Sequence, residues 1–198
     1  MELTQPRVMG LGTHHKTGTV WMQRVFRSMG RTLGIPCAQV FRKTADELVP
    51  EEGRIFLFSW STRFHESILA RPDTRIMHII RDPRDVLLSG MRYHQVCGEF
   101  GEKAIHMKRD DLGGRSYQEH ICSLPNDEEK LLFEMRERHA RTIGEMVAWD
   151  YTRPNVIELR YEDLMQDRDA VAFTLHLRAL GLTVPEAEEG AKIFWRKS

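Results

Sequence analysis

Four short apolar runs, separated by polar and helical patterns, constrain the fold of this chain more than any other feature. The runs cover residues 7–12, 54–58, 75–80 and 156–161. The second is continuous in apolar residues, which is typical of parallel strands covered on both faces. A helical pattern over residues 18–33 follows the first run, with Gly34 at its end. Strands that alternate with helices predict an α/β fold of three layers around a mainly parallel central sheet.

The remaining patterns predict further helices around this sheet. A short helix capped by Ser61 or Thr62 ends at Leu69, and the next helix begins at Asp82-Pro83. A long helix, capped by Asn126, covers residues 127–150. Another helix runs from Asp169 to Gly181, and the last one begins at Pro185. Residues 98–125 are polar without a clear period, and we expect either an insertion over a site or a plain surface loop. The length predicts a single domain over residues 1–198.

Composition narrows the class of protein. Lys and Arg together number 29, as do Asp and Glu, and this balance argues against a dedicated nucleic-acid binder. No apolar run approaches the roughly 18 residues of a membrane span, and the first residues lack the apolar core of a secretory signal. Cys37, Cys97 and Cys122 form no CxxC pair and are typical of thiols in a reducing compartment. We therefore expect a cytoplasmic protein, without a prediction of its oligomeric state.

The segment between the first predicted strand and the first helix has the character of an anion-binding loop. It reads Gly10-Leu11-Gly12-Thr13-His14-His15-Lys16-Thr17-Gly18-Thr19, within a stretch of seven basic residues and no acidic one between Pro6 and Ala45. Unpaired N–H groups at a helix N-terminus attract anions, and Lys16 adds a full charge. The loop resembles the nucleotide-binding pattern G-x-x-x-x-G-K-[ST], except that His15 stands at the second glycine position. A strand–turn–helix with a chance lysine stays open.

A second motif follows the third predicted strand and reads Arg81-Asp82-Pro83-Arg84-Asp85-Val86-Leu87-Leu88-Ser89. Ligands of open parallel sheets lie beyond the carboxyl ends of the strands, so Arg81 is expected at the same edge as Lys16. A guanidinium can hold a phosphate through paired N–H donors, and Ser89 could donate to the same group. The alternative is that these charges only cap the helix and pair at the surface.

These two motifs, with Arg160-Tyr161-Glu162-Asp163-Leu164 after the fourth strand, carry a family resemblance. In this order they resemble the sulfotransferases that use 3′-phosphoadenosine 5′-phosphosulfate (PAPS) and release 3′-phosphoadenosine 5′-phosphate (PAP). The resemblance covers the chain from about Arg7 to its end. It implies metal-independent transfer of a sulfuryl group from PAPS to a hydroxyl, or an amine, of a small molecule or carbohydrate.

The resemblance also implies site residues. Lys16 would act in catalysis by stabilising the leaving oxygen, and the predicted donor-binding residues are His15, Lys16, Thr17, Gly18, Thr19, Val20, Trp21, Arg81, Ser89, Tyr161, Arg196 and Lys197. Of these, residues 16–20 would cradle the 5′-phosphosulfate, and Arg81 with Ser89 would hold the 3′-phosphate. Trp21 and Tyr161 would contact the adenine, although both could equally be core aromatics.

Two departures from the family pattern leave choices open. The cytosolic members place a histidine just after the second of these strands, where this chain has Ser59 or a neighbour. His65 is the predicted general base, a surface histidine is the other interpretation, and His14, His15 and His94 are further candidates. Members of the family usually have, near the C-terminus of the domain, a basic loop that closes over the 3′-phosphate. In this chain only Arg196-Lys197 corresponds to the start of that loop. An ATP-dependent kinase of the phosphate-loop kind and a non-catalytic nucleotide-binding module are therefore the alternative functions.

Overall fold

The computed structural model describes residues 5–41, 43–98 and 102–197 of the chain. These residues form two compact units. The first unit contains the chain up to Arg81 and from Ala148 onward, and the second runs from Asp82 to Val147. The single domain over residues 1–198 stays a prediction.

Helices and strands alternate from residue 8 to residue 96, and helices predominate after that point. In chain order they are β1 (Val8–Gly12), α1 (Thr19–Leu33), β2 (Cys37–Gln39), α2 (Ala45–Leu48), β3 (Ile55–Ser59), α3 (Glu66–Leu69), β4 (Thr74–Ile80), α4 (Pro83–Val96), α5 (Tyr117–Ser123), α6 (Asp127–Glu134), α7 (Ala140–Val147), β5 (Val156–Arg160), α8 (Tyr161–Gln166), α9 (Val171–Leu180) and α10 (Val184–Phe194). A π-helical turn, Met135–His139, joins α6 to α7, and a 3-10 turn, Trp195–Lys197, follows α10.

The first unit is built on a five-stranded sheet in the order β2-β3-β1-β4-β5. Every neighbouring pair of strands is parallel. The register pairs Gly12 with Ser59 on one side and with His78 on the other, so β1, β3 and β4 end close together. The predicted α/β fold with a parallel central sheet is confirmed.

Alternation of side chains along the strands gives this sheet two buried faces. On one face, Met9, Phe56 and Met77 pack with α1, α9 and α10 in a large apolar core. On the other, Leu57 and Ile76 pack with the short segments around α2 and α3. Both faces are therefore covered, which is why the strands carry continuous apolar runs.

The second unit holds helices α4 to α7 and its own small apolar core around Tyr117 and Ile121. The expectation of a plain loop over residues 98–125 is wrong, because α5 and an antiparallel pair of two-residue strands, Lys108–Arg109 and Arg115–Ser116, lie there. Helix α5 begins at a capping box formed by Ser116 and Glu119.

Other differences from the predicted elements concern short segments. The single long helix over residues 127–150 is wrong in detail, because the π-helical turn interrupts it and α7 ends at Val147. The predicted cap of α3 at Ser61 or Thr62 is also wrong: His65 caps it by accepting the Ser67 N–H. The elements β2, α2 and α8 were not predicted; the first two have three and four residues, too few to show a period.

Candidate active site

The lysine loop, residues 13–18, connects β1 to α1 through an unusual backbone. Lys16 has a φ of 63° and Gly18 a φ of 91°, both in the left-handed region. Such turns direct successive N–H groups into a concave anion-binding surface. Helix α1 begins directly after Gly18, with no side-chain hydrogen bond at its N-cap and no acidic residue in its first turn. The loop and the helix start therefore favour an anion.

Hydrogen bonds within the loop converge on the backbone of His14. The hydroxyls of Thr17 and Thr19 donate to the His14 carbonyl over 3.0 and 2.9 Å. The Thr17 hydroxyl also accepts the His14 N–H over 2.8 Å, and Thr17 is buried. The hydroxyl of Thr17 thus stabilises the loop itself.

Arg81 joins this loop from the end of β4. Its Nη1 donates to the Lys16 carbonyl over 2.9 Å, and its guanidinium lies 4.3 Å from the centre of the Tyr161 ring. Its Nε is buried and has no hydrogen-bond partner within the described part of the chain. A guanidinium carries five N–H donors, so the one fixed contact leaves donors for a ligand.

Two aromatic side chains border the loop. The rings of Trp21 and Tyr161 meet edge to face, 6.2 Å apart. A methyl group at Gly18 would lie 3.1 Å from the Tyr161 ring, so the glycine lets the ring approach the backbone. Trp21 also donates to the Phe194 carbonyl and packs against Trp195, which ties it to the end of α10.

Comparison with known proteins assigns a family to this site. The model of the sulfotransferase domain matches residues 9–175, which include the lysine loop, Arg81 and Tyr161. The chain belongs to the sulfotransferase family. No curated protein matches its sequence significantly.

Two solved structures resemble this member of the sulfotransferase family. Mouse sulfotransferase SULT7A1 complexed with PAP has 17% identity and a TM-score of 0.48, with 96% of this chain and 63% of that chain covered. Retinol dehydratase in complex with androsterone and inactive cofactor PAP has 14% identity and a TM-score of 0.51, with 98% and 66% covered. The chain thus spans about two thirds of the length of each. At this identity the second likeness shows a shared fold.

The other predicted residues of the first unit lie as follows. His15 is half-buried beside Lys16, and Val20 is exposed on the first turn of α1. His65 is exposed at the start of α3, where its Nδ1 accepts the Ser67 N–H over 3.2 Å and lies 2.9 Å from the Ser67 hydroxyl. Its role as general base stays a prediction. Arg196 is exposed in the turn after α10.

Two further residues predicted to bind the donor belong neither to the loop nor to its aromatic border. Ser89 is half-buried on α4, in the second unit. Its role at the 3′-phosphate stays a prediction. The side chain of Lys197 falls outside the described residues, so the predicted role of that lysine is likewise untested.

One buried polar contact near the loop was not predicted as a unit. His14 and His78 are fully buried, and their Nε2 atoms lie 2.9 Å apart. The signal that could have found it is a histidine in the middle of an otherwise apolar strand, Ile76-Met77-His78-Ile79-Ile80. A polar side chain buried in a sheet needs a hydrogen-bond partner, and the carboxyl end of the neighbouring strand is the nearest place to supply one.

Proposed function

We propose that this protein transfers a sulfuryl group from PAPS to a hydroxyl, or an amine, of a small molecule or carbohydrate. The observation that carries the proposal is the hydrogen bond from Arg81 Nη1 to the Lys16 carbonyl, which brings two cationic side chains of distant segments to one anion-binding loop. A donor with phosphate groups at both ends of an adenosine needs two such positive groups. Retinol dehydratase, which shares the fold, was solved with PAP.

The residues present fit such a donor. The left-handed turns at Lys16 and Gly18, and the uncapped start of α1, suit the 5′-phosphosulfate. Arg81 has N–H donors beyond its bond to the loop for the 3′-phosphate. Trp21 and Tyr161 offer aromatic surface beside the loop for the adenine.

Bound PAPS supplies a sulfuryl group on a good phosphate leaving group. Lys16 would bind the bridging oxygen and neutralise the negative charge that develops there when the bond to sulfur breaks. The N–H groups at the start of α1 would hold the donor so that the acceptor and the leaving oxygen lie in line. His65 remains the proposed base for the acceptor hydroxyl. None of these roles requires a metal ion, and we expect transfer to continue in the presence of a chelator.

The carboxyl edge of the sheet also suggests an acceptor class. Trp60 follows β3 directly and is 58% exposed, and Phe41 lies two residues beyond β2 and is 73% exposed. Exposed aromatic side chains at the ligand-binding edge of a parallel sheet favour an acceptor with apolar surface. Retinol dehydratase, of similar fold, was crystallised with the steroid androsterone. We therefore propose that the acceptor is a partly apolar small molecule. We also propose that the protein acts in the cytoplasm and binds no nucleic acid.

A transfer assay with labelled sulfate tests the proposal. Wild-type protein, PAPS and a mixture of phenols, steroids, alcohols and sugars should yield a labelled product. Lys16→Ala should lower the rate at least about 100-fold, and Lys16→Arg should keep part of the donor binding. Lys192→Ala, which removes an exposed lysine of α10, is the matched control. An unchanged rate in Lys16→Ala contradicts the role of Lys16. Transfer of phosphate from ATP with Mg²⁺ in place of sulfate would favour the kinase alternative.

Among residues 5–41, 43–98 and 102–197, no helix combines the length and apolar character that crossing a membrane requires.

A further inference from the structure

A row of polar side chains, two of them buried histidines, runs from the lysine loop to the edge strand β5. The Nε2 atoms of His14 and His78 lie 2.9 Å apart, and His78 Nδ1 lies 2.6 Å from Glu158 Oε2. Both imidazoles are fully buried. Glu158 stands opposite His78 in the register of β4 and β5, so the sheet itself fixes their pairing.

The carboxylate determines which ring nitrogens carry hydrogen. An ionised carboxylate only accepts hydrogen bonds, so His78 carries its hydrogen on Nδ1 and donates it to Glu158. In the neutral ring, His78 Nε2 is then an acceptor. The hydrogen between the two rings therefore belongs to His14 Nε2. The second oxygen of Glu158 accepts the Trp149 Nε1–H over 3.0 Å, which holds the carboxylate in this orientation.

Thr62 requires the same tautomer independently. Its hydroxyl donates to the Thr13 carbonyl over 3.1 Å, so towards His14 Nε2, 3.2 Å away, it can only accept. Thr62 is buried and has a φ of 52°, a strained conformation for a β-branched residue. Strain of this kind is kept where the surroundings hold a side chain in a required position.

The anchored ring controls the backbone of the lysine loop. The carbonyl of His14 accepts the hydroxyls of Thr17 and Thr19, which flank the left-handed turn at Gly18. Strand β4 thus holds the loop at two points. His78 binds the ring of His14, and three residues later Arg81 binds the carbonyl of Lys16.

We propose that His14, His78 and Glu158 form a positioning triad, which holds the lysine loop in its donor-binding conformation through the one hydrogen shared between the two imidazoles. The inference rests on the proposed function, because the loop conformation matters only if the loop binds the donor. His78 and Glu158 are positioning residues, since they act on the loop through His14.

Two amide variants of His78 distinguish its contact with His14 from its contact with Glu158. The amide of a glutamine reaches the place of His78 Nε2, so His78→Gln keeps a partner for His14. The amide of an asparagine stops near the place of Nδ1, so His78→Asn keeps a partner for Glu158 and loses the one for His14. Both variants bury a neutral amide of similar polarity, and they differ in which neighbour they reach.

Calorimetric titration with PAP is the measurement. We expect His78→Gln to bind PAP within about threefold of wild type, and His78→Asn to bind about tenfold more weakly. His176→Gln, which changes a half-buried histidine on α9, should bind as wild type does. If His78→Gln and His78→Asn bind PAP with equal affinity, whether that affinity equals the wild-type value or is weaker, the triad is overturned. Circular dichroism checks that both variants fold.

The tautomers give a readout that does not depend on PAP. In ¹⁵N spectra of the imidazoles, wild-type protein should show the hydrogen of His78 on Nδ1 and that of His14 on Nε2. Glu158→Gln should move the hydrogen of His78 to Nε2, because the amide oxygen is held by Trp149 and its NH₂ then faces Nδ1. Failure of wild-type protein to bind PAP contradicts the proposed function, whereas the opposite tautomers in wild type contradict the triad alone.

Discussion

Two fully buried histidines, one in each unit, have different hydrogen-bond partners. Nδ1 of His78 lies 2.6 Å from Glu158, and Nδ1 of His94 lies 2.7 Å from Glu134. The two rings differ at Nε2. For His78 the neighbour is a second imidazole at 2.9 Å, and for His94 it is a second carboxylate, Glu102, at 3.2 Å. One arrangement joins two imidazoles to each other, and the other places an imidazole between two carboxylates, which favour its charged form.

The surroundings of His94 stabilise that charge. Burial acts to lower the pKa of His94, but the hydrogen bonds to Glu102 and Glu134 outweigh it, and the pKa of His94 is raised. The Tyr117 hydroxyl donates to Glu134 over 2.7 Å, and Arg138 Nη1 donates to Glu102 over 2.6 Å. The network of the second unit therefore joins His94 to charged partners, whereas the proposed triad of the first unit ends at the lysine loop.

The largest expected effect is on the free energy of unfolding, and it differs between the two carboxylates, Glu134 and Glu158. Glu134→Ala should lower the free energy of unfolding by about 3–5 kcal/mol, because it removes the buried carboxylate that accepts hydrogen bonds from both His94 Nδ1 and the Tyr117 hydroxyl. Glu158→Ala should cost only about 1 kcal/mol, because the Glu158 side chain is 30% exposed and water can replace it. Urea denaturation of the full chain measures both. Equal losses would contradict the difference in burial.

Packing against Glu134 gives the next effect. A methyl group at Gly90 would lie 2.8 Å from Glu134 Oε1, so Gly90→Ala should destabilise the protein by about 2 kcal/mol. At Gly144, in the middle of α7, an added methyl group would point into open space. Gly144→Ala should therefore stabilise by about 0.5–1 kcal/mol through helix propensity. Thermal unfolding of the two variants should shift in opposite directions, and shifts of the same sign would count against the tight contact at Glu134.

The matching glycine test in the first unit affects binding. Gly18→Ala places a methyl group 3.1 Å from the Tyr161 ring at a φ of 91°, and we expect PAP affinity to fall about tenfold. Gly53 has a similar φ of 83° with nothing near the added methyl group. Gly53→Ala should thus lose some stability from backbone strain and keep wild-type affinity for PAP. Calorimetric titration compares them, and equal affinities would show that the backbone at Gly18 is not part of the binding site.

The smallest effect is a pH dependence that belongs to His94. Because the pKa of His94 is raised in the folded state, its contribution to stability is fully present below the unfolded pKa of about 6.5 and is lost as the pH rises through the folded pKa. As the pH rises from below about 6.5 through the folded pKa of His94, the stability of wild type relative to His94→Gln should fall. A difference that stays constant with pH would mean that the pKa of His94 is the same in the folded and the unfolded protein.

Local patterns explain which parts of this structure the sequence predicted. The strands β1, β3, β4 and β5 and the helix α1 follow from apolar runs and periodicity that lie within a few residues of one another. The placement of Arg81 beside Lys16 follows from the edge rule for parallel sheets. The roles assigned to residues such as Ser89, His65 and Tyr161 stay predictions.

Other features depend on distant contacts or on very short segments. Helix α5 lies in residues 98–125, where the polar sequence carries no clear period. The bond between His14 and His78 joins residues 64 apart, and the bond between His78 and Glu158 joins residues 80 apart. The register of three strands cannot be predicted from a local pattern. A histidine in an apolar strand therefore indicates that a hydrogen-bond partner exists, but the sequence does not identify that partner.

Binding of PAP and of adenosine 5′-phosphate to wild type and to Arg81→Gln tests the central claim most directly. If Lys16 and Arg81 hold opposite ends of one adenosine, wild type should bind PAP at least about tenfold more tightly than adenosine 5′-phosphate. Arg81→Gln should abolish most of this preference, because its affinity for PAP should fall much more than its affinity for adenosine 5′-phosphate. Equal affinity of the wild-type protein for the two nucleotides, or a preference for PAP that survives in Arg81→Gln, would contradict the claim.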